Sequence, residues 1–292
     1  VTVYFTPYAG PGASCPYVYS WNGTAFVLEN SILESSVENG FVMDSLPLNK
    51  SISCENGEVI ISIREEEQNE HTDLDSVNLL QINTGSNTQF GTTVDGSLTA
   101  FRETIPPNSA IDNNGTDALA LLNDADGIAY NGSAGSEVIA NFNISGILNP
   151  RLVIRADAKC PPPNKVYESP TSGPINVDAL NSSGEWQFVA TFWPHDLWSY
   201  TVIDLGAYID PCNANITVKL TWLAYHVVDY VGMDVSQVPQ FDLVRILPIA
   251  SILSDGTDCV DDLRYADGTL VGLDYGQQVV MAFPVFEDTC TP

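Results

Sequence analysis

The chain has 292 residues, of which 44% are hydrophobic and 16% are charged, a composition typical of an ordered globular protein rather than a disordered acidic segment. Ten Lys and Arg residues against 37 Asp and Glu residues give a formal charge of -27. This charge would repel nucleic acids and acidic membranes, so we expect neither as a partner.

The first predicted element is an apolar strand at the amino terminus. Residues 1–8 read VTVYFTPY, carry no charged side chain, and precede the turn-rich run AGPGAS. A lone strand of this kind exposes unpaired backbone groups and needs a sheet edge. That edge can belong to its own body or to a neighbouring copy, where strand addition would link subunits head to tail. We favour the neighbouring copy, with Val3 and Phe5 on one face of the strand. The donor residues are Val1, Val3, Tyr4, Phe5 and Tyr8.

A β-hairpin is predicted next, around the Asn22-Gly23 dipeptide. This dipeptide supplies the two positive-φ positions of a type I′ turn, and it lies between the runs PYVYSW and TAFVLEN. Period-two, β-branched or aromatic runs recur to the end of the chain, and no long stretch keeps a helical period. The further predicted strands are 58–64, 76–82, 137–144, 151–155, 186–193, 200–205, 216–230, 243–247, 269–273 and 278–286.

Two segments lack a strand pattern. Residues 84–135 are rich in Asn, Gly, Asp and Ser and are predicted to be a loop-rich insertion, with a short helical turn at 117–122. Residues 160–172 are rich in Pro, which is excluded from central strands, and are predicted to form a seam. We therefore predict an all-β fold, an antiparallel β-sandwich built as one large or two packed sandwiches. Residues 1–12 would form the extended strand and its hinge, and residues 13–292 the body.

Six cysteines indicate an oxidising, extracellular location. No two of them form a CxxC pair, which disfavours zinc and thioredoxin-type sites, so we predict disulfides, with buried free thiols as the alternative. Each bridge would stabilise the fold by about 2 to 4 kcal/mol by restricting the unfolded chain. The favoured pairings join neighbours in sequence, because each closes a loop of moderate length. They are Cys15–Cys54, Cys160–Cys212 and Cys259–Cys290.

N-linked glycosylation is predicted at seven N-x-S/T sequons, none with Pro in the middle. Glycosylation and disulfide formation require the same export route. The chain begins with Val rather than Met, and its apolar runs stop short of the roughly 20 residues of a membrane helix. We therefore expect a cleaved precursor at the cell surface, with no membrane span in this chain. The sequons are at Asn22, Asn49, Asn114, Asn131, Asn143, Asn181 and Asn215.

No motif in the sequence identifies an enzyme. The histidines, His71, His195 and His226, are scattered, and no G-x-S-x-G elbow, Walker loop or H-E-x-x-H motif occurs. Glycoside hydrolysis needs only two well-placed carboxylates, which an acid-rich sequence neither confirms nor excludes. We expect a protein without catalytic activity and keep a secreted hydrolase as an alternative.

Asp-rich turns place carboxylate oxygens on bends of the kind that calcium uses. They occur at 73–75, 123–127 and 254–258, and the candidate ligands are Asp124 and Asp126. None completes an EF-hand loop, and Asp and Gly also favour turns without any metal. We expect no cofactor, with calcium at Asp124 and Asp126 as the alternative.

Five tryptophans leave a carbohydrate-binding role open, because exposed aromatic rings stack on sugars, although rings at strand spacing usually pack in a core. An adhesin or carbohydrate-binding β-sandwich is therefore the first alternative function. The tryptophans are Trp21, Trp186, Trp193, Trp198 and Trp222.

Four stretches resemble a type of secreted prokaryotic β module. CPYVYSWNGTAFVLEN is similar to its opening CP-x-Y-x-W-D-G-x-x-F motif, with Asn22 in place of Asp. EVIISIREEEQNEHTDLDSVNLLQI is similar to its E-x-x-Y-L-D-x-V-x-L strand pair, with departures at Thr72 and Leu74. LTWLAYHVVDYVGMD resembles its H-x-V-D-Y-V-G-L-D strand, and DGTLVGLDYGQQVVMAFPV its closing turn and strand. No enzymatic role comes with these motifs.

The architecture also resembles that of archaeal extracellular threads and pili, whose subunits are joined by donor-strand complementation. An apolar leading strand ahead of a glycosylated β body carries this resemblance. We therefore expect a structural subunit of an extracellular filament or coat, a homopolymer carrying N-linked glycans.

Overall fold

The computed structural model describes residues 2–7, 16–32, 42–48, 52–66, 71–83, 87–144, 149–158, 173–209 and 215–285, with the backbone alone at 2–7 and 42. These residues form an all-β fold, as predicted, with one short 3₁₀ helix, Leu119–Leu121, inside the predicted helical turn. The strands are β1 (Thr2–Pro7), β2 (Tyr17–Trp21), β3 (Phe26–Ser31), β4 (Val42–Ser45), β5 (Cys54–Glu55), β6 (Glu58–Arg64), β7 (His71–Asn83), β8 (Gln89–Thr92), β9 (Leu98–Phe101), β10 (Thr104–Ile105), β11 (Ser109–Asp112), β12 (Tyr130–Gly132), β13 (Glu137–Asn143), β14 (Arg151–Asp157), β15 (Ile175–Leu180), β16 (Trp186–Phe192), β17 (Ser199–Asp204), β18 (Asn215–Trp222), β19 (His226–Asp234), β20 (Asp242–Ile246), β21 (Ala250–Leu253), β22 (Val271–Asp274) and β23 (Gln278–Pro284).

The chain divides into two compact units. The first comprises residues 1–85, 95–97 and 241–292, and the second comprises residues 86–94 and 98–240. The second unit is therefore inserted into the first. The predicted insertion at 84–135 begins near this boundary, but it contains strands β8 to β12 and forms only part of the second unit. The predicted seam at 160–172 lies outside the described residues.

The first unit consists of two sheets packed around one core. One sheet has the order β20-β7-β1-β4, with β22 also paired to β7, and the other has the order β21-β23-β6-β2-β3, with β5 paired to β6. Val77 and Leu79 from the first sheet meet Ile61, Ile63 and Met281 from the second in a single buried cluster. Every second residue of β6 and β23 enters this cluster, because successive side chains of a strand point to opposite faces: Val59, Ile61 and Ile63 from β6, and Val279, Met281 and Phe283 from β23.

The second unit is also built from two sheets. One has the order β10-β19-β14-β17-β8-β9, with β12 paired to β19, and the other has the order β11-β13-β18-β15-β16. Its strands pair antiparallel except for a single parallel contact between Thr201 and Thr92. The core includes Phe142, Leu152, Ile154 and Trp222 from the two sheets. Each unit is thus a β-sandwich with its own core.

Most predicted strands lie within about two residues of their observed bounds, but β7 begins at His71 rather than at residue 76, and β4, β15 and β21 were not predicted. The predicted strand 216–230 is two strands, because the chain crosses from one sheet to the other between Trp222 and His226. The hairpin at Asn22 forms, but its loop has four residues rather than two, with Trp21 paired to Phe26. The Asn22 side chain accepts hydrogen bonds from the backbone N–H groups of Thr24 (3.0 Å) and Ala25 (2.9 Å), which closes this wider turn.

Across the described residues, no helix is both long and apolar enough to cross a membrane.

Candidate functional site

The first strand occupies an inner position in a sheet of the first unit. β1 pairs antiparallel with β4 from Thr2 to Phe5 and with β7 from Thr2 to Pro7. β2, the next strand along the chain, belongs to the other sheet of the unit. All of the pairing of β1 is therefore with strands that are not its neighbours in sequence. We call the space between β4 and β7 the β1 groove.

This position differs from the one predicted for the donor strand. The strand was expected at an edge of a neighbouring copy, whereas here it pairs within its own chain, as in the alternative that the sequence left open. Val1 and Tyr8 lie outside the described residues, as do the side chains of Val3, Tyr4 and Phe5. The predicted faces of the strand therefore remain a prediction.

The β7 wall of the groove alternates apolar and polar side chains. Leu74 and Val77 belong to the buried core, while Ser76 and Asn78 are 0% and 2% exposed. Without β1, the facing backbone N–H and C=O groups of β4 and β7 would lose their ladder partners. The groove therefore requires a strand to complete it.

A β-bulge in β7 interrupts the pairing with β1. The register passes from Tyr4–Ser76 to Phe5–Leu74, so Asp75 has no partner residue in β1. The buried Asp75 carboxylate accepts hydrogen bonds from the backbone N–H groups of Asp267 (3.2 Å) and Gly268 (2.9 Å). The bulge thus ties the groove wall to the loop before β22.

His71, at the start of β7, forms a clamp with two carboxylates. Its Nδ1 lies 2.7 Å from Asp274 Oδ1 in β22, and its Nε2 lies 3.1 Å from Asp73 Oδ1. Burial alone would lower the pKa of His71, but the hydrogen bonds and charges of Asp274 and Asp73 outweigh it and raise this pKa above its usual value. The protonated imidazole is therefore favoured in the fold.

Six of the seven predicted glycosylation sites fall on described residues, and Asn49 lies outside them. Five of the six asparagines are exposed, and Asn181 is half-buried in the turn between β15 and β16, where its Oδ1 accepts the Ser183 and Glu185 N–H groups. Asn143 and Asn215 are register partners at the ends of β13 and β18. The exposed set is Asn22, Asn114, Asn131, Asn143 and Asn215.

Two of the six cysteines lie among the described residues. Cys54 is disulfide-bonded, and its partner lies outside the described part of the chain, as do Cys15, Cys160, Cys212 and Cys290. Cys259 carries a free thiol that is 3% exposed and contacts the Ser251 carbonyl oxygen at 3.4 Å. The predicted Cys259–Cys290 bridge is therefore wrong, because the packing of the first unit buries the Cys259 sulfur against the backbone of Ser251.

Of the two calcium candidates, Asp126 caps a turn. The Asp126 carboxylate accepts the Ile128 N–H at 2.8 Å, and the neighbouring Gly127 donates its N–H to Asp229. The acidic turn at 254–258 has the same character, since Asp255 accepts the Thr257 N–H and Asp258 the Val260 N–H. Among the described residues, no three His, Cys, Asp or Glu side chains are placed to hold a metal ion together.

The histidines of the second unit are buried. Burial lowers the pKa of His226, although a hydrogen bond to the Gly173 carbonyl oxygen opposes this effect. His195 Nδ1 lies 3.0 Å from Ser199 Oγ. The two histidines therefore bind different partners, a serine side chain for His195 and a backbone carbonyl for His226.

Sequence reasoning missed two buried ion pairs in the second unit. Arg151 binds Asp234, and Arg155 binds Asp229, whose carboxylate also accepts the Gly127 N–H at 3.0 Å. Burial raises the pKa of Asp229, although the Arg155 charge acts against this shift. Asp229 is the extra residue of a bulge in β19, which turns it toward Arg155. Acids inside the otherwise apolar run VVDYVGMD were the signal, because a buried carboxylate requires a partner.

Of the five tryptophans, Trp222 is fully buried and Trp186 is exposed. Trp186 and Phe188 lie in the edge strand β16 with 38% and 55% exposure. The Lys219 ammonium lies 5.0 Å from the Trp186 ring centroid and 3.3 Å from the Asp178 carboxylate. We call this set of four residues the aromatic face. It combines stacking surfaces with charged and polar groups on one side of a sheet.

A polar ladder continues this side of the sheet across β18, β13 and β11. Thr217 Oγ1 donates to Asn141 Oδ1 at 2.8 Å, and Asn141 Nδ2 donates to Ser109 Oγ at 3.0 Å. The glycosylation candidates Asn143 and Asn215 follow two residues along the same strands. The surface is therefore rich in groups that hydrogen-bond hydroxyls.

Comparison with solved structures gives a distant structural likeness. No family model matches the chain, and no curated protein matches it. Among solved structures, the chain is similar to a rhamnosidase from Novosphingobium sp. PP1Y, with 11% identity, a TM-score of 0.22 and coverage of 71% of this chain. The chain spans 20% of the length of that rhamnosidase. The fold itself defines the class: an all-β protein of two β-sandwich units, one inserted into the other.

Proposed function

We propose that the chain is a structural subunit of an extracellular filament or coat, in which β1 of one copy occupies the β1 groove of the next. The position of β1 carries this proposal. β1 is an inner strand of its sheet, and residues 8–16 connect it to β2, which belongs to the other sheet. Exchange of an identical element between copies preserves the contacts that it makes within one chain. The role is mechanical and requires neither catalysis nor a cofactor.

Strand exchange yields different assemblies according to its direction. Two copies that swap β1 reciprocally form a closed dimer, whereas a copy that donates to one neighbour and accepts from another forms an open chain. Main-chain hydrogen bonds in the groove do not depend on net charge. The charge of -27 on each subunit opposes close approach, so assembly should strengthen as salt screens this repulsion.

The surface chemistry supports an extracellular location for this role. Cys54 is disulfide-bonded, which is typical of oxidising compartments. Five of the described sequon asparagines are exposed and accessible to a glycosylating enzyme. N-linked glycans at these positions would cover the strand ends and turns of an exposed fibre.

Electron microscopy of the full chain and of a variant lacking residues 1–8 tests the proposal. Both proteins are held just below the urea concentration that unfolds the full chain, so that β1 can leave its groove, and are then returned to buffer. The full chain should form fibres, and the truncated chain should not. A full chain that stays monomeric, or a truncated chain that forms fibres, would contradict strand exchange.

The truncated variant has an empty groove and is therefore less stable, so a peptide VTVYFTPY is added in trans as a control. The peptide should restore the thermal stability of the first unit without restoring fibres, since a free peptide caps the groove but links no subunits. Fibres formed by truncated chain plus peptide would show that another surface drives assembly.

The aromatic face favours a second function, the binding of carbohydrate. Trp186 and Phe188 present exposed rings, and the neighbouring amides and hydroxyls can bind sugar hydroxyls. A surface polysaccharide bound here would make the subunit an adhesin. The two functions are compatible, because the aromatic face and the β1 groove lie in different units.

Affinity electrophoresis in gels containing neutral polysaccharides tests this second function. Trp186→Ala should abolish the retardation of the wild-type chain, whereas Tyr275→Ala, which removes an exposed ring from the first unit, should leave it unchanged. Equal retardation of the wild type and of both variants would exclude the aromatic face as the binding surface.

A further inference from the structure

A pocket in the first unit brings two arginines together in a chain with only ten Lys and Arg residues. The pocket has a volume of about 350 Å³ and is lined by Ser76, Asn78, Arg245, Leu247, Arg264, Tyr265 and Ala266. This volume falls in the range of small-molecule sites. A second pocket of about 430 Å³ shares Arg245 and Arg264 with it, so the two guanidinium groups border both spaces.

The two arginines differ in how they are held. Arg264 is fixed by the Pro248 carbonyl oxygen, which accepts from its Nε at 3.1 Å, and by the exposed Asp261 carboxylate, 3.1 Å from its Nη1. Arg245 is exposed on the edge strand β20. Its guanidinium makes no hydrogen bond or ion pair within the described part of the chain. One guanidinium is therefore positioned and one is available to a ligand.

Two polar atoms that line the pocket lack partners among the described residues. Ser76 Oγ and Asn78 Oδ1 are buried, and neither has a hydrogen-bond partner in the part of the chain that the structure describes. Buried polar groups are normally satisfied, so two such atoms in one pocket point to a ligand that supplies the missing partners. A hydroxyl group can donate to Asn78 Oδ1 and accept from the Ser76 hydroxyl.

We infer that this pocket binds a small hydroxylated carboxylate of the sugar-acid type. The carboxylate would bind Arg245 and Arg264, because the planar guanidinium fork matches a carboxylate in shape and charge. Ligand hydroxyls would reach Ser76 and Asn78, and the exposed Tyr265 ring would cover the less polar face of the ligand. Ser76 and Asn78 belong both to this pocket and to the β7 wall of the β1 groove; the ligand would contact their side chains, whereas β1 pairs with their backbone.

Isothermal titration calorimetry with glucuronate tests the inference. A constant ionic strength of about 0.15 M, where the Debye length is about 8 Å, keeps the screening of the chain's net charge the same for every ligand. Glucuronate should bind saturably, whereas glucose, which lacks the carboxylate, and propionate, which lacks the hydroxyls, should bind at least about tenfold more weakly. No saturable binding of glucuronate would overturn the proposal. Binding of glucose as tight as that of glucuronate would also overturn it, because the arginines would then have no role.

Matched variants assign the binding to this pocket. Arg245→Gln should raise the Kd for glucuronate about tenfold or more, and Ser76→Ala should raise it while keeping the charge. Arg102→Gln removes an exposed arginine from the second unit and should leave the Kd unchanged. If Arg102→Gln weakens binding as much as Arg245→Gln does, the effect is one of net charge and the proposed pocket is wrong. Unchanged thermal unfolding of Arg245→Gln shows that the fold is intact.

Discussion

At the scale of single residues, the surroundings of Cys259 suppress the reactivity of its thiol. Burial, together with the carboxylates of Asp262, Asp258 and Asp255, raises the pKa of this thiol to about 11. Only the thiolate is a nucleophile, and near pH 8 the thiolate fraction would be on the order of one part in a thousand. Cys259 therefore behaves as a small apolar core residue rather than as a reactive group.

Thiol titration with a chromogenic disulfide reagent tests this reading of Cys259. In the native state at pH 8, the wild type and Cys259→Ser should release the same amount of chromophore, because the thiol is buried and protonated. In guanidinium chloride without reductant, the wild type should release one equivalent more than the variant. Equal release from the two unfolded proteins would mean that Cys259 is disulfide-bonded after all.

The clamp at His71 predicts a pH dependence of stability. Its pKa in the fold lies above the unfolded value of about 6.5, so its stabilising effect is complete below that value and is lost as pH rises through the folded pKa. Urea unfolding of the first unit should therefore show a larger decrease in midpoint from pH 6 to pH 9 in the wild type than in His71→Gln. Identical decreases would show that Asp73 and Asp274 do not hold a protonated imidazole.

At the scale of elements, Gly132 in β12 fits against the largest buried side chain of the second unit. A Cβ at Gly132 would lie 2.4 Å from Nε1 of Trp222, whose ring is fully buried and whose Nε1 donates to the His226 carbonyl oxygen. Only a residue without a side chain fits this contact. The close fit of Gly132 against Trp222 thus adds to the pairing of β12 with β19.

Gly132→Ala should therefore lower the free energy of unfolding by about 1 to 3 kcal/mol, the usual cost of overpacking a core. Gly206→Ala is the control, because a Cβ there meets only the ends of the Asp204 and Asn149 side chains, at 3.1 and 3.9 Å, and should cost far less. Equal thermal stability of the two variants, followed by tryptophan fluorescence, would contradict the close fit at Trp222.

Local patterns in the sequence identified most strands but not their partners. The alternation in EVIISIR gave the bounds of β6, since the alternating residues of a strand face a core directly. The break between β18 and β19 was missed because Leu223, Ala224 and Tyr225 contain no turn-forming residue, and the crossing between sheets is set by tertiary packing. Burial of Asp229 and Asp234 is likewise a product of the fold, because their arginine partners lie 74 and 83 residues away in sequence.

Local sequence patterns could not predict the pairing partners of β1 or the arginine pocket either. β1 meets β4 and β7, which are separated from it by other strands, so its place depends on contacts that no short pattern encodes. The pocket brings Ser76 and Asn78 together with Arg245 and Arg264, although the whole second unit lies between these two pairs in the sequence. The exposed sequons and the all-β class, by contrast, follow from short motifs and period-two runs.

At the scale of the whole molecule, the two units differ in how many segments of the sequence build them, because one sandwich is inserted into the other. Nearly all of the second unit is one continuous stretch, whereas the first unit needs both ends of the chain. A fragment of residues 86–240 should therefore unfold cooperatively with urea, with Trp222 fluorescence as the probe, because it contains both sheets of its own core. A fragment of residues 1–85 lacks β20 to β23 and should not. A non-cooperative transition for fragment 86–240 would contradict an independent second sandwich.

The central claim is that β1 passes between copies, and disulfide trapping in mixtures tests it most directly. Val3 and Val77 are register partners, so a Val3→Cys chain is mixed with a Val77→Cys chain, both carrying Cys259→Ser, under filament-forming conditions and a mild oxidant. We predict a covalent species of twice the subunit mass, and none when Ile61→Cys, in the opposite sheet, replaces Val77→Cys. A bridge that forms only when both cysteines are in the same chain, and never in the mixture, would contradict strand exchange between subunits.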